Sequence, residues 1–461
     1  MSSKLTTSLS DLAAQLVDMA KKAGATDADA LAVRDTGESV RIRHGRIESV
    51  EREDAQGIGL RAFVRQRDGL ACASASTSDV SASGLKSLVR QVIEMARISS
   101  PDPDAVPPAG ADHPTGAELK QWVERHAPPA EAWNMDDARQ AAMDCEQTAL
   151  GYAKEISNSE GAEAGFGSTS VAYASADGFC GDYTKTSAGL SISVLAGKGD
   201  GMQRDYAFDR ALLAEKLRDP RTIGKEAALR TLSRLGAGSM KSCETTVVFE
   251  PRMATSLLGH LAGAINGRAV IQQRSFLTDA VGQQIFPAFV HISDDPDHAD
   301  GLGNRLFDGE GTRCRAMNVI ENGRLTGFLT DRYAARRLHT RATGHARRGL
   351  AGDIGIGTSN LILHPGMISP DEILQEVGEG ILVTEMMGFG VNPVTGDYSR
   401  GAVGFVIKNG KIGRPVQEIT VAGNLREMFA NITLVGNDLT WFGSTAVPTV
   451  AIRGLAIAGQ A

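Results

Sequence analysis

Glycine density is the feature that most limits what this chain can fold into. Glycine accounts for 52 of the 461 residues, and the segment from Ala351 to the C-terminus holds 18 of them in 111 positions. An average protein uses about 7% glycine. Glycine weakens helices and allows tight turns and close approaches between backbones. Because the segment is not repetitive, the sequence predicts a β-rich domain there.

The charge balance and the apolar runs exclude several classes of protein. The chain has 48 Lys and Arg residues against 55 Asp and Glu, a net charge of -7, which argues against a protein that mainly binds nucleic acid. No apolar run approaches the roughly 18 residues that a membrane helix needs. The N-terminus is amphipathic and carries no export signal. The five cysteines are scattered and form no CxxC pair, so we expect a reduced, cytoplasmic protein.

The residues up to 235 divide by their pattern into three parts. Residues 1–98 predict a helix, a small antiparallel meander and a second helix, and residues 99–118 form a proline-rich linker. Residues 119–235 predict another helix–strands–helix order, in which the last helix covers Phe208 to Leu235. The whole stretch is expected to be one N-terminal α/β unit with small antiparallel sheets.

Residues 236–461 predict a second, glycine-rich β domain. Thr245–Phe249 has the composition of a strand, and Pro251 is a favoured first residue for the helix that follows. Later strands are joined by hairpin turns such as Asn322-Gly323 and Asn409-Gly410. The fold class is therefore α+β, with a C-terminal domain that resembles a barrel or a sandwich.

Standard catalytic motifs are absent from the sequence. There is no Walker loop, no GxSxG elbow and no HExxH. Gly57-Ile58-Gly59 is interpreted as a pair of strand or turn glycines, and the acidic run 294–300 as an Asp-rich turn, since it misses the EF-hand spacing. His339 and His345 lie in an arginine-rich segment that either holds an anion or is a solvated loop. His260 lies in an apolar helix and has the character of a half-buried histidine.

A series of short segments, in this order and spacing, resembles the TldD/PmbA family, and its PmbA (TldE) branch more closely than its TldD branch. The resemblance runs nearly end to end. Its segments are Gly57–Arg61, Phe249–Arg252, Gly259–Ala264, Ser275–Leu277, Phe307–Gly311, Thr358–Leu361, Gly388–Ser399, Ala422–Leu425 and Val435–Leu439.

The resemblance implies a subunit of a heterodimeric metallopeptidase. In this family a TldD-type subunit and a PmbA-type subunit enclose a chamber that admits unfolded peptides. The TldD-type subunit carries an HExxxH helix and a later cysteine, which together hold one zinc ion. Such a metal lowers the pKa of a bound water, and the Glu of the motif acts as general base.

This chain departs from that pattern at the metal site. By alignment, Gly259 and Ala264 stand where the two histidine ligands would be, and His260 stands where the base would be. Residues 437–444, where the cysteine ligand would lie, contain no cysteine. We therefore expect no catalytic residue and no bound metal in this chain, with the zinc held by the TldD-type partner.

Four residues are candidates for lining the chamber or binding substrate: His260, His345, Asn392 and Thr395. The turn Asn392–Gly396 either lies on the inner surface, where a peptide could add as a strand, or merely closes a hairpin. Both interpretations stay open.

Three functional hypotheses follow from the sequence. The first is a noncatalytic subunit of a TldD/TldE-type zinc metalloprotease, with a homodimer when the partner is absent. The alternative is a regulatory module that acts through protein partners, in the manner of a DNA gyrase modulator. A self-sufficient peptidase using His260 with His291 has little support, because these residues lack the ligand spacing of known zinc sites.

Overall fold

A computed structural model of the chain describes residues 8–126, 133–351 and 353–459. The helices, in chain order, are α1 Leu9–Lys22, α2 Ala82–Ile98, α3 Gly116–Arg125, α4 Met135–Leu150, α5 Pro220–Ser233, α6 Pro251–Ala264, α7 Gly267–Ile271, α8 Arg332–Arg337, α9 Pro370–Val377 and α10 Leu425–Ala430.

The strands of the first part of the chain are long, and many of the later ones are short. In order they are β1 Asp27–Arg43, β2 Arg46–Gln66, β3 Gly69–Thr77, β4 Ile156–Ser175, β5 Cys180–Ala196, β6 Gln203–Ala211, β7 Cys243–Phe249, β8 Ile292–Asp294, β9 Met317–Glu321, β10 Arg324–Leu325, β11 Ala346–Arg347, β12 Gly355–Ile356, β13 Leu361–Leu363, β14 Gly380–Met387, β15 Asp397–Lys408, β16 Lys411–Asn424, β17 Ile432–Val435, β18 Thr440–Phe442, β19 Thr445–Val447 and β20 Val450–Ala458.

The first six strands form a single antiparallel sheet in the order β3-β2-β1-β4-β5-β6. The sequence predicts separate short strands at Ala30–Val33 and Ser39–Arg43. The structure joins them, because Arg34 to Glu38 stay paired with β2 on one side and β4 on the other. The strands before and after the proline-rich segment therefore share one sheet.

Alternating side chains give this sheet two different faces. On one face, Ala28 and Ala30 pack with α1 and α2, and Val40 and Ile42 pack with α4 and α5. On the other face, Leu31 lies in a cluster with Trp122, Tyr173, Tyr183 and Phe307. The sheet is thus covered by helices on one side and partly by the C-terminal part of the chain on the other.

The helix predicted over Phe208 to Leu235 is wrong in its first half. Gln203–Ala211 is the edge strand β6, paired with β5, and the helix α5 begins only at Pro220, where Asp219 caps it. Pairing with a neighbouring strand outweighs the weak helical pattern of these residues. The short helix α3, which has a Thr115–Glu118 capping box, was not predicted.

The C-terminal part contains a closed barrel. Its sheet has the order β16-β15-β14-β7-β20-β17, and β16 also pairs with β20 through Thr420 to Ala422, so five strands form a ring. A second sheet of six strands, β10-β9-β8-β13-β19-β18, lies in the same region of the chain. The predicted α+β class with a barrel-like C-terminal domain is confirmed.

Two predicted hairpin turns have the expected backbone. Asn322 and Gly323 both have positive φ (49° and 75°), as do Asn409 and Gly410 (51° and 70°). Two consecutive residues of this kind define the type I′ turn that matches the twist of a hairpin. Among the described residues, no helix is long and apolar enough to cross a membrane.

Candidate functional site

Helix α6 is the element that positions the site. It follows β7 directly, and Pro251 occupies its first turn. Ala254, Leu257 and Leu261 are buried against the core that the barrel strands share. The opposite side of the helix, with Gly259 and Gly263, is exposed. The apolar face of α6 therefore packs on the core, and the opposite face, which carries the two glycines, lies at the surface.

This exposed face forms one wall of a pocket of about 410 Å³. We call it the α6 pocket. It is lined by Gly259, His260, Gly263 and Ala264 of α6, by Arg268, Arg274 and Phe276 of the following segment, and by Val391, Pro393 and Leu425. Residues far apart in the chain therefore meet here.

His260 lies in this pocket without a hydrogen-bond partner for its Nε2 atom. Its ring meets the Tyr398 ring edge to face, with centroids 5.8 Å apart. The buried Tyr398 hydroxyl interacts with the Arg400 side chain. Burial lowers the pKa of His260, and Arg400 lowers it further. Burial raises the pKa of Tyr398 to about 12. Both groups are therefore neutral near pH 7.

Two arginines give the pocket a positive charge. Arg268 donates to Asp331 over 2.6 Å through its Nε atom, so its charge is partly compensated. Arg274 is exposed and contacts the Gln272 side chain at 3.4 Å. No Asp or Glu lines the pocket.

The side chains of the pocket do not fit a zinc ion. Glycine and alanine at 259 and 264 have no ligating side-chain atom, and the other polar side chains are one imidazole, two guanidinium groups and the neutral amides of Asn266 and Gln272. In the ranges 8–126, 133–351 and 353–459 there is no group of three or more His, Cys, Asp or Glu side chains that could hold a metal. Residues 437–444, which include β18, contain no sulfur.

Asn392 and Thr395 lie in the turn that precedes β15. The Asn392 Oδ1 atom accepts from the backbone N–H of Val394 (3.0 Å) and Thr395 (3.4 Å), and the Thr395 hydroxyl donates to Asp397 (2.6 Å). Both side chains are exposed and bond within the turn. Their neighbours Val391 and Pro393, rather than they themselves, line the α6 pocket.

His345 lies elsewhere and is buried. Its Nε2 atom is 3.0 Å from Asp294 Oδ2, and its Nδ1 atom is 2.8 Å from the Thr343 hydroxyl. Asp294 also accepts from the Ser359 backbone N–H. The structure therefore brings His260 close to the 391–393 turn but does not bring His345 to the α6 pocket.

The arginine-rich segment around His345 is only partly solvated. Arg337 pairs with Asp104 over 3.0 Å near the surface. Arg348, in contrast, has a fully buried side chain and pairs with Asp29 of β1. The segment thus anchors the C-terminal part of the chain to the N-terminal sheet.

A larger groove, of about 630 Å³, lies on the open face of the N-terminal sheet. Small polar residues and carboxylates such as Asp35, Glu51 and Glu163 line it, without any histidine or cysteine. The groove therefore lacks the histidine ligands of the zinc site that the family resemblance describes, and the α6 pocket is the better candidate site.

Of the polar residues in and beside this pocket, the sequence singled out His260 but not the two arginines or the neighbouring Tyr398. Arg268 and Arg274 fall between two of the quoted segments, and Tyr398 falls inside one of them. The motif that contains Tyr398 was the one available signal, but a tyrosine in a strand flanked by polar residues does not show which side of the strand it faces.

Three family models match consecutive parts of the chain. Residues 28–96 match PmbA/TldA metallopeptidase domain 1, residues 128–235 the central domain, and residues 242–459 the C-terminal domain. The metalloprotease PmbA of Escherichia coli O157:H7 is 36% identical over 444 residues, which cover 95% of this chain and 93% of the relative. A PmbA homolog of Haemophilus influenzae is 33% identical and covers 96% and 94%.

Solved structures share the fold. A Bacteroides thetaiotaomicron protein, provisionally assigned as a modulator of DNA gyrase, has a TM-score of 0.86 and 27% identity, with 97% and 98% of the two chains covered. TldE from Thermococcus kodakarensis has a TM-score of 0.82 and 21% identity, with 97% and 99% covered, and shows the fold alone. This chain belongs to the PmbA/TldD family of metallopeptidase-related proteins, as its motifs predict.

Proposed function

We propose that this chain is the noncatalytic, PmbA/TldE-type subunit of a two-subunit zinc metalloprotease that cleaves unfolded peptides. Its TldD-type partner holds the zinc ion and carries out the hydrolysis. One observation carries the proposal. Helix α6 is formed and packs on the core of the barrel, yet Gly259 and Ala264 offer no ligand at the positions where the resemblance expects histidines.

Electrostatics supports the same conclusion. A catalytic zinc site needs three protein ligands and an open position for water. The α6 pocket offers one imidazole, and Arg268 and Arg274 would repel a divalent cation. A subunit that completes a chamber and binds substrate must keep the fold but does not need zinc ligands of its own.

The chain therefore contributes structure and substrate binding, and no catalytic residue. It supplies one half of the chamber, and the turn Asn392–Gly396 at the edge of the α6 pocket faces the substrate. Peptides are bound in an extended form, because backbone contacts to an extended chain depend little on sequence. In the absence of the partner the chain can form a homodimer, and we place both assemblies in the cytoplasm.

The alternative is a regulatory module that acts on a protein partner, as the provisional assignment of the Bacteroides thetaiotaomicron protein suggests. The two functions differ in the complex that they require. Only the subunit hypothesis demands a stoichiometric complex with a TldD-type protein, which gel filtration detects.

The proposal is tested by the metal content of the purified chain. We expect far less than one zinc per chain by elemental analysis, and EDTA is expected to leave the melting temperature unchanged to within about 1 °C, since only a ligand of the native state stabilises it. A TldD-type protein treated in parallel is the control. Near-stoichiometric zinc in this chain, with a lower melting temperature after EDTA, would contradict the proposal.

A further inference from the structure

We propose that the α6 pocket binds a carboxylate of a peptide, either the C-terminal α-carboxylate or the side chain of an Asp or Glu. The inference deepens the proposed function, on which it rests, by giving this subunit a defined binding site of its own. Three features of the pocket lead to it: its charge, the unpartnered imidazole nitrogen of His260 and its open floor.

The charge of the pocket selects an anion. Within the part of the chain that the structure describes, Arg274 has no carboxylate within 4.0 Å, although the chain as a whole carries a net charge of -7. Arg268, whose charge Asp331 partly compensates, lies on the same wall. A guanidinium group binds a planar carboxylate through two parallel hydrogen bonds, which makes this pairing both strong and specific.

One neutral group of the pocket lacks a partner. The Nε2 atom of His260, a residue that lines the pocket, is buried and has no hydrogen bond. Buried polar atoms in native proteins nearly always have partners, so such atoms point to a group that is not part of the chain. A carboxylate oxygen would accept a hydrogen bond from His260 and remove this deficit.

The floor of the pocket is open because of two glycines. A Cβ atom added at Gly259 or at Gly263 would meet no heavy atom within 4 Å. These residues lie one helical turn apart on the same side of α6, where their lack of side chains leaves room for a ligand. Phe276, Val391 and Pro393 supply an apolar wall beside this space. The pocket therefore suits a carboxylate together with a neighbouring apolar group of the same peptide.

Peptide binding to this chain alone tests the inference. The probes are fluorescently labelled, unstructured peptides of one sequence without Asp or Glu, in three forms: a free C-terminal acid, a C-terminal amide, and an amide with a single Glu. Fluorescence anisotropy is expected to give at least about tenfold tighter binding for one or both carboxylate forms than for the plain amide. The comparison of the first and third peptides shows which carboxylate is recognised. Equal binding of all three, or binding of none, would overturn the inference.

Substitutions locate the binding. Arg274→Gln removes a positive charge, and Gly263→Leu fills the floor of the pocket. Each is expected to weaken carboxylate binding about tenfold. Gly259→Ala keeps the helix, because alanine has a higher helix propensity than glycine. It is expected to weaken carboxylate binding less than Gly263→Leu does. Arg453→Gln changes an exposed arginine of β20 outside the pocket and is the matched control. If Arg274→Gln folded normally by circular dichroism and still bound the acid as tightly as wild type, the assignment to this pocket would be wrong.

The outcome is independent of peptidase activity. Binding is measured without a partner and without zinc, so a failed cleavage experiment leaves this result unaffected. Conversely, if the chain bound all three peptides equally, the inference would be wrong. The subunit hypothesis would be unaffected, because metal content and cleavage test it separately.

Discussion

Replacing Asp29 with alanine is expected to lower the free energy of unfolding by about 3–5 kcal/mol, because it leaves buried charge without a partner. Asp29 is fully buried in β1, pairs with Arg348, and lies 2.5 Å from Arg61 Nη2. Arg61 would keep Glu310 at 3.3 Å. Arg348 would keep no carboxylate within 4.0 Å among the described residues, and its Nε and Nη2 atoms already lack partners. Urea unfolding at pH 7 measures the loss.

The loss should depend on pH in a defined direction. Burial acts to raise the pKa of Asp29, but Arg348 and Arg61 outweigh it and hold the pKa below its ordinary value. The stabilisation is therefore complete above the ordinary carboxyl pKa of about 4 and is lost as the pH falls through the lower native value. The difference between wild type and variant should shrink correspondingly in acid.

A matched control lies on the same sheet. Asp54 pairs with Arg34 at 2.9 Å, but both side chains are about half exposed (55% and 47%). Asp54→Ala is expected to cost far less stability than Asp29→Ala, because solvent screens an exposed ion pair. Equal losses for the two variants would show that Asp29 is not the buried anchor described above.

Gly59→Ala is expected to destabilise the chain by about 1–3 kcal/mol through overpacking. A Cβ atom at this position would lie 1.8 Å from the backbone oxygen of Leu350. The backbone around Leu350 would have to lift from β2, which would also disturb the pairing of Arg348 with Asp29. Besides lower stability in urea, faster hydrogen exchange of the 346–351 segment is expected.

The control for this variant is Gly349→Ala, in the same segment. A Cβ atom at Gly349 meets nothing within 4 Å, and its φ is not positive. Its expected effect lies within about 0.5 kcal/mol of zero. A Gly59→Ala variant as stable as Gly349→Ala would contradict the close contact between the segment and the sheet.

The sequence predicted those elements whose pattern is local. Helix α1 has its apolar residues at helical spacing, and the Asn-Gly pairs set the backbone of their hairpins. The strand β6 was mistaken for helix, because only its pairing with β5 reveals it. The closure of the barrel through β16 and β20 joins residues more than 30 positions apart and leaves no local trace.

The same distinction holds for the site. Gly259, His260 and Ala264 could be singled out, since they fall in one quoted motif. The arginines and Tyr398 could not, because the fold alone brings them to α6. Asp29 was also missed, although a carboxylate between Ala28 and Ala30 in an apolar strand is itself unusual. Its role depends on Arg348, more than 300 residues away.

Cleavage of an unstructured peptide tests the central claim most directly. The purified chain is assayed alone and mixed with a TldD-type partner, each with and without a chelator. We expect that only the mixture cuts and that the chelator stops it. If neither preparation cuts, the regulatory module becomes the better hypothesis. Chelator-sensitive cleavage by this chain alone would contradict the account, since Gly259 and Ala264 leave it without zinc ligands at α6.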